Sequence, residues 1–150
     1  MSTKITSVKL PDPAATMAFG ARMAGVLRSH DVVCLTGGLG VGKTSFSRGL
    51  IQELCGSMEV PSPTFTLVQT YRAPAFDIWH FDLYRLQASE DIWELGIEDA
   101  LDGGVCLIEW PDRIENMLNG DELNIDFDFS GQGRTAMLSG GKHWKNRLKT

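Results

Sequence analysis

A run of glycines followed by lysine and threonine lies in residues 34–50, CLTGGLGVGKTSFSRGL. Its spacing, Gly37-x-x-x-x-Gly42-Lys43-Thr44, is that of a phosphate-binding loop. Glycines let backbone N–H groups point at phosphate oxygens, and the N-terminus of the following helix adds its positive dipole. A lysine at this position reaches the β- and γ-phosphates, and the hydroxyl beside it ligates Mg²⁺. The residues predicted to contact the nucleotide are Gly38, Leu39, Gly40, Val41, Gly42, Lys43, Thr44 and Ser45.

Two carboxylates follow strand-like segments and are candidates for the metal site and for catalysis. An apolar run leads directly to Glu109, and an alternating run leads to Asp82. A metal-bound nucleotide needs a carboxylate at the end of a neighbouring strand, so we predict that Thr44 and Glu109 hold Mg²⁺, the latter directly or through water. Asp82 is predicted to orient the attacking water or to hold a metal-bound water, with a salt bridge to Arg85 as the structural alternative. Lys43 completes the predicted catalytic set.

Four more residues near these segments have both a functional and a purely structural interpretation. His80 shares the alternating run with Asp82, and we expect a neutral histidine packed on the sheet rather than a catalytic one. Trp110 either stacks over the site or packs at the end of its strand. Ser62 and Thr64 either sense the γ-phosphate, as ordered switch segments do, or belong to a rigid turn.

The elements that must position these side chains alternate between strand and helix in the first half of the chain. Asp12 is expected to cap a helix that begins at Pro13, and Ser89 to cap a helix interrupted near Gly96. The predicted strands are KITSVKL, DVVCLTG, FTLVQTY, FDIWHFDLYRL and GVCLIEW, followed by a hairpin of ELNIDFDFS and RTAMLS. The predicted helices are ATMAFGARMAGVLRS, TSFSRGLIQELCG, SEDIWELGIEDAL and PDRIENML, with a helical end. This alternation favours an α/β sheet.

The bulk composition is that of a soluble globular protein. The 150 residues are 43% hydrophobic and 22% charged, and one domain over residues 1–150 is expected. Residues 1–12 lack the apolar core of a signal peptide, and no stretch approaches the length of a membrane span. Cys34, Cys55 and Cys106 lack CxxC spacing. We therefore expect free thiols in a reducing cytoplasm rather than a disulfide framework or a zinc site.

The formal charge of −5 hides an asymmetry along the chain. Residues 87–128 hold thirteen Asp and Glu against the single Arg113, whereas residues 131–150 hold five Lys and Arg and no acid. The acidic body argues against strong stand-alone binding of nucleic acid, because phosphate contacts need concentrated Lys and Arg. The basic tail is expected to form a solvated terminal helix, with contact to RNA or to an acidic partner as the alternative.

The identity of the nucleotide follows from what the sequence lacks. No Asn-Lys-x-Asp motif occurs, so the usual guanine-recognition element of GTPases is missing and ATP is the expected ligand. The arginines are scattered rather than clustered in a lid, which disfavours a small P-loop kinase, although Arg134 could close over phosphate. A free-standing kinase and a nucleotide-gated binding module remain the alternatives to an ATPase.

Five short motifs occur in an order that resembles the TsaE family, also called YjeE. They are GGLGVGKTSFSRG, SPTFTLVQTY, HFDLYRL, ELGIED and IEWP, and the resemblance covers residues 8–139. It implies a single-domain, P-loop NTPase-like three-layer sandwich with a mixed sheet and a C-terminal β-hairpin. It also implies a Mg²⁺-dependent ATPase in the bacterial machinery that threonylcarbamoylates a tRNA adenosine. The implied partners are TsaD and TsaB, with tRNA reached indirectly through their complex.

The resemblance also assigns roles to residues outside the loop. Arg134 in GQGR matches a nucleotide-contacting arginine, and Thr16 in LPDPAAT lies in a segment expected beside the base. The loop and carboxylate roles given above match the family by position, with Asp82 in an essential acidic role. One departure is Gly38, which stands where the family commonly has an acid. Loss of the acid is expected to alter loop stiffness or the charge of the metal site and to leave the phosphate cradle intact.

Overall fold

Four parallel strands form the centre of one seven-stranded sheet, and antiparallel strands extend it at both edges. The computed structural model describes residues 3–38, 40–57, 59–61, 63, 67–86, 89–114, 118 and 120–148. The strands are β1 (Thr3–Leu10), β2 (Val32–Thr36), β3 (Val68–Arg72), β4 (Asp77–Asp82), β5 (Val105–Glu109), β6 (Leu123–Ser130) and β7 (Gly133–Gly140). The helices are α1 (Pro13–Ala24), α2 (Lys43–Cys55), α3 (Ile97–Leu101) and α4 (Lys142–Arg147), with 3-10 helices over Ser89–Leu95 and Pro111–Arg113.

The strand order is β1-β7-β6-β2-β5-β4-β3, in which β6, β2, β5 and β4 run parallel. All five residues of β5 are buried, because helices cover both faces of the sheet at its centre. This burial explains why β2 and β5 are continuous apolar runs, whereas β6 and β7, on the side of the sheet that ends in β1, alternate between more and less buried residues. The predicted α/β sandwich, its mixed sheet and its terminal hairpin of β6 and β7 are confirmed.

The two faces of the sheet carry separate hydrophobic clusters. On one face α1 and α2 pack over β2, β5 and β6, with Phe46 and Leu107 in the same cluster. On the other face the 3-10 helix Ser89–Leu95 and α3 pack over β4 and β5, with Ile92 and Ile108 in the same cluster. Alternation along β5 therefore sends Val105, Leu107 and Glu109 towards α2, which fixes the face on which the carboxylate lies.

Local sequence explains how α1 is held against α2. The Asp12 carboxylate accepts a hydrogen bond from Ala15 N at 2.8 Å, and Pro13 occupies the first helical position, as predicted. A Cβ at Gly20 would lie 2.1 Å from Phe46 O, so only glycine permits this approach of the two helices. The close packing brings the first turn of α1 next to the beginning of α2.

Two predicted elements end earlier than the sequence indicated. β4 stops at Asp82, and Leu86 N then donates to Leu83 O in a turn, so the predicted strand through Leu86 is too long. The first helix ends at Ala24 rather than near Ser29, because Gly25 closes the last turn by donating to Arg22 O.

Two predicted α-helices are wholly or partly 3-10. The predicted interruption at Gly96 is confirmed: with φ of 85° it separates the 3-10 helix from α3. Ser89, however, is the first residue of that 3-10 helix rather than a cap before an α-helix. After β5, the structure gives a single 3-10 turn over Pro111–Arg113, and positions 115–117 of the predicted helix lie outside the described residues.

The cysteines have the chemical form that the sequence predicts. Cys34, Cys55 and Cys106 are free thiols, as predicted. Burial raises the pKa of the Cys106 thiol to about 12 and raises that of Cys34 further, so both are protonated and unreactive. Across the part of the chain that the structure describes, no helix has the length and apolar character needed to cross a bilayer.

Candidate functional site

The carboxyl ends of three parallel strands bring the predicted residues together. In the strand register Leu35 pairs with Glu109, and Glu109 pairs with Asp82. β5 therefore places its terminal carboxylate between the end of β2, from which the glycine loop departs, and the carboxylate at the end of β4. Trp110 N donates to Leu35 O at 3.3 Å and continues this contact beyond β5. The carboxyl edge of a parallel sheet is where α/β proteins bind ligands.

The glycine loop between β2 and α2 adopts a conformation that requires glycine. Gly37, Gly40 and Gly42 have φ of 131°, 75° and 116°, which L side chains rarely adopt. A Cβ at Gly37 would also lie 2.5 Å from Phe127 O. Gly42 precedes Lys43 as the N-cap of α2 and offers no capping side chain, so the first N–H groups of the helix point into the loop unblocked. The predicted contact Leu39 lies outside the described residues.

Lys43 is buried inside the site rather than extended into solvent. Its side chain is 5% exposed, and Nζ donates to Gly37 O at 2.6 Å. Nζ also lies 3.7 Å from the centroid of the Trp110 ring. Burial lowers the pKa of the ammonium, and the carboxylates of Glu109, Asp82 and Asp112 act against that shift, in this order of strength. The lysine therefore shares one electrostatic environment with both predicted catalytic acids.

The two carboxylates differ in their partners. Glu109 is 3% exposed, and its Oε2 lies 2.7 Å from Nε2 of His80. Asp82 is 6% exposed, and its Oδ1 accepts a hydrogen bond from Tyr84 N at 3.1 Å. The sequence placed His80 on the sheet face correctly but missed its contact with Glu109. Part of the signal lies in the sequence, where His80 and Asp82 alternate onto the same face. The register that pairs His80 with Leu107, two residues before Glu109, is set by the fold.

A second flank of the site lies on the other side of the loop. Thr16 is buried at the start of α1 beside Gly42, and Arg134 Nη2 lies 3.4 Å from Gly40 O. The Arg134 guanidinium also stacks 4.4 Å over the exposed Phe129 ring, which holds it at the mouth of the hairpin. A cavity here is lined by Leu10, Asp12, Pro13, Thr16, Gly40, Val41, Gly42, Ser45, Gly133 and Arg134. The structure thus brings both outlying predicted residues to the glycine loop.

A larger cavity lies at the opposite, amino edge of the sheet and contains none of the predicted site residues. It is lined by His30, Asp31, Val32, Leu101, Leu118, Asp121, Glu122 and His143. Its acids are partly engaged within the protein, since Arg147 Nη1 donates to Asp31 Oδ1 at 3.0 Å. The glycine-loop cavity is smaller but is lined by glycines of the predicted phosphate-binding loop, so we take it as the candidate site.

The donor set at the carboxyl edge fits a magnesium ion that arrives with a nucleotide. Mg²⁺ is commonly held by one or two carboxylates together with phosphate oxygens and water. Glu109, Asp82 and the Thr44 hydroxyl at the start of α2 are ligands of this kind. No group of three or more His, Cys, Asp or Glu able to hold a metal occurs among the described residues, so the chain offers no complete protein-only cage there. Ser62 and Thr64 lie outside the described residues.

Comparison with protein families decides the relationship of this chain. A model described as "Threonylcarbamoyl adenosine biosynthesis protein TsaE" matches residues 10–136. The chain belongs to the TsaE family. This confirms the resemblance drawn from the five motifs, and the match spans every element from the end of β1 into β7. The TsaE assignment makes the chain a protein of tRNA threonylcarbamoyladenosine biosynthesis.

Individual TsaE relatives support the same assignment. The tRNA threonylcarbamoyladenosine biosynthesis protein TsaE of Rickettsia bellii is 48% identical over 104 residues, covering 69% of this chain and 72% of the relative. The Haemophilus influenzae TsaE is 35% identical over 135 residues, covering 86% and 85%. The crystal structure of Bacillus subtilis YdiB superposes with a TM-score of 0.80 at 26% identity, covering 99% of this chain and 94% of that one.

Proposed function

We propose that this TsaE-family protein binds ATP with Mg²⁺ at the carboxyl edge of the sheet and hydrolyses it. It would act as the ATPase subunit of the tRNA N6-threonylcarbamoyladenosine machinery, together with TsaD and TsaB. The observation that carries the proposal is the meeting of Lys43, at the start of α2, with the buried carboxylates of Glu109 and Asp82. A cation and two acids around a glycine loop form the arrangement that phosphoryl transfer requires.

Phosphate binding is assigned to the loop and the first turn of α2. The backbone N–H groups after Gly40 and the N-terminus of α2 supply directed donors and positive dipole. Lys43 supplies the full positive charge; it is the only lysine between Lys9 and Lys142, so no neighbouring ammonium replaces it. Gly38 and Gly40 are exposed with open space around them, which leaves room for phosphate oxygens.

The two acidic residues are assigned different roles, Glu109 as a ligand of Mg²⁺ and Asp82 as the group that orients the attacking water. Thr44 and Glu109 would hold Mg²⁺, which when bound offsets charge on the phosphates. Asp82 has Oδ1 engaged by Tyr84 N and remains slightly exposed, so its carboxylate is suited to orient the attacking water for hydrolysis. Because Asp82 and Glu109 pair across adjacent strands, the two functions lie side by side at one edge of the sheet.

The nucleoside end is assigned to the cavity between α1 and the hairpin. Thr16 and Asp12 come from α1 and its cap, and Arg134 closes the cavity from β7. Arg134 is already oriented by its stacking on Phe129 and its contacts with Gly40 O and Gly133 O. Such preorganisation lowers the entropic cost of gripping a nucleotide.

Two measurements test this function. Calorimetric titration with ATP, with and without Mg²⁺, establishes binding, and phosphate release from the purified chain, alone and with TsaD, TsaB and tRNA, establishes turnover. We expect Mg²⁺-dependent binding and slow hydrolysis that the partners accelerate. Transfer of phosphate to a small molecule, or fast turnover indifferent to the partners, contradicts the proposal and favours a kinase or an independent ATPase. Partner binding that requires ATP but survives Asp82→Asn favours a nucleotide-gated binding module.

A further inference from the structure

A histidine and a glutamate form a buried pair at the end of β5, next to the end of β2 from which the glycine loop departs. His80 is fully buried, Glu109 is 3% exposed, and His80 Nε2 lies 2.7 Å from Glu109 Oε2. A carboxylate withdrawn from water to this degree needs a hydrogen-bond donor, because an unpaired buried charge is costly. The pair joins the middle of β4 to the last residue of β5.

The direction of the hydrogen bond follows from the partners of the two ring nitrogens. An ionised carboxylate only accepts, so the proton of the bond belongs to His80 Nε2. Nδ1 of the same ring is buried and has no hydrogen-bond partner among the described residues. A ring with its N–H on Nε2 supplies the donor that Glu109 needs, and it leaves Nδ1 as a buried acceptor without a partner among the described residues. The imidazole thus serves Glu109 and no other side chain in the described part of the chain.

We propose that His80 is a positioning residue for Glu109. Its Nε2–H fixes one carboxylate oxygen on the sheet, which leaves the rotamer of Glu109 directed along the carboxyl edge where Lys43 and Thr44 begin α2. This inference rests on the proposed role of Glu109 as a magnesium ligand. Partners that orient a ligating carboxylate tune metal affinity, and their loss typically lowers it by about 10–100-fold.

The positive charge of Lys43 is a reason why Glu109 needs a hydrogen bond that fixes its position. Glu109 is the strongest of the three carboxylates that act electrostatically on Lys43. A carboxylate without its tether would be drawn towards this ammonium, and the two groups would neutralise each other instead of serving metal and phosphate. The hydrogen bond to His80 holds one oxygen of Glu109 at β4, which opposes that movement towards Lys43.

The test compares two substitutions of His80 in the full chain. His80→Gln keeps an N–H donor close to the position of Nε2, whereas His80→Leu removes it. The Mg²⁺ concentration at half-maximal enhancement of ATP affinity is measured by calorimetry, together with ATP affinity in the absence of metal. We expect His80→Leu to raise that concentration by about 10-fold or more. ATP affinity without metal should stay within twofold of wild type, and His80→Gln should recover most of the loss.

Controls separate positioning from general damage to the sheet. Phe81→Leu lies on the same strand but faces the opposite cluster, so it should lower stability while leaving the Mg²⁺ dependence unchanged. In a Glu109→Gln background, His80→Leu should change the Mg²⁺ dependence by less than twofold, because the carboxylate through which His80 acts is already absent. Nitrogen NMR of the histidine rings in metal-free wild-type protein should show the His80 proton on Nε2, and this measurement needs no variant to fold.

Several results would overturn the inference. His80→Leu with the wild-type Mg²⁺ dependence, an undiminished effect in the Glu109→Gln background, or a proton on Nδ1 would each show that His80 does not act through Glu109. Those results leave the proposed ATPase function intact. An ATP affinity of the wild-type chain that is indifferent to Mg²⁺ would instead remove both proposals together.

Discussion

Lys43 and Trp110 form a cation–π pair in which Nζ lies 3.7 Å from the centroid of the indole ring. Trp110 follows Glu109 directly and has φ of 63°, a left-handed conformation uncommon for a residue with a side chain. That conformation turns the chain at the end of β5 and sets the indole over the ammonium, while Gly37 O accepts from the same ammonium at 2.6 Å. The first residue of α2 is therefore packed against the residue that directly follows the predicted magnesium ligand.

Removal of the ammonium should weaken nucleotide binding severely. Lys43→Ala should lose about 1.5–3 kcal/mol of ATP binding free energy, the contribution of one charge-assisted hydrogen bond. Calorimetric titration of ATP into the variant measures this. Lys142→Ala is the matched control, because Lys142 is exposed on α4, away from the glycine loop, and should leave the affinity unchanged. Unchanged affinity and turnover in Lys43→Ala would contradict the assignment.

ATP binding should weaken at a lower alkaline pH than it would if Lys43 had the pKa of an ordinary lysine. Burial lowers the pKa of Lys43 below 10.5, so the site loses its positive charge as pH rises through that lowered value. Bound phosphate favours the charged form, and ATP binding in this range should therefore take up protons. Calorimetry in two buffers of different ionisation enthalpy measures the uptake. Lys43→Arg should abolish this pH dependence, since guanidinium stays protonated throughout; its persistence would point to another titrating group.

The same depressed pKa has a consequence for stability. Because the unfolded chain binds more protons at this lysine than the folded chain between the two pKa values, stability should rise with pH across that window. Urea denaturation at a series of alkaline pH values tests the sign. In Lys43→Met this rise of the free energy of unfolding with pH should vanish. A fall of the free energy of unfolding with pH in the wild type would show that burial does not dominate the pKa of Lys43.

The two carboxylates should give different phenotypes. Glu109→Gln should impair the Mg²⁺ dependence of ATP binding, because it removes the charge at the end of β5. Asp82→Asn should reduce hydrolysis more than ATP binding, and the amide oxygen can still accept from Tyr84 N, so the fold should be retained. Binding by calorimetry and single-turnover phosphate release separate the two effects. The reverse pattern would show that the metal and water roles are exchanged.

The contact of α1 with α2 should be intolerant of a single methyl group. Gly20→Ala would place Cβ 2.1 Å from Phe46 O, so the helices must separate, and we expect a loss of about 1–3 kcal/mol in the free energy of unfolding. Gly25→Ala is the matched control, because Gly25 is exposed with φ of −71°, and its Cβ would meet Arg22 O at 3.5 Å. Equal unfolding midpoints of the two variants in urea would contradict this packing argument.

Sequence patterns predicted the strands that meet at the site but not the contacts between their side chains. The apolar run before Glu109 and the alternation before Asp82 were sufficient, because strand period and burial are local properties. The bond between His80 and Glu109 was missed, since it depends on which strands become neighbours. The end of β4 and the 3-10 form of Ser89–Leu95 were also missed, because tertiary packing and turn hydrogen bonds set them rather than propensity.

The acidic segment 87–128 and the basic segment 131–150 both contribute exposed charged side chains. Acids around α3 are exposed, including Glu98 and Asp99, and they offer a negative surface for steering a partner. The basic end forms α4, as predicted, but Arg147 is committed to Asp31 within the chain, so its charge is partly offset. Lys142 and Lys145 remain exposed. The exposed acids around α3 therefore offer more charge than the exposed lysines of α4 for attracting an oppositely charged partner.

Stimulation by the partners should depend on salt. If the chain is the proposed ATPase, its site at the edge of one small sheet should turn over slowly alone and need a partner that completes the arrangement around the nucleotide. We predict that TsaD with TsaB raises the rate of phosphate release, and that the gain shrinks as ionic strength rises, because salt at 0.1 M largely screens the attraction between exposed charges more than about 10 Å apart. The assay is phosphate release by the purified chain, alone and with both partners, over a salt series.

Two double variants identify the surface that responds to salt. A Glu98→Gln/Asp99→Asn variant should lose part of the gain that the partners give at low salt, whereas Lys142→Gln/Lys145→Gln should lose less. Fast turnover of the isolated chain, unaffected by the partners, would defeat the prediction, and a larger loss in the lysine variant would assign the docking surface to α4.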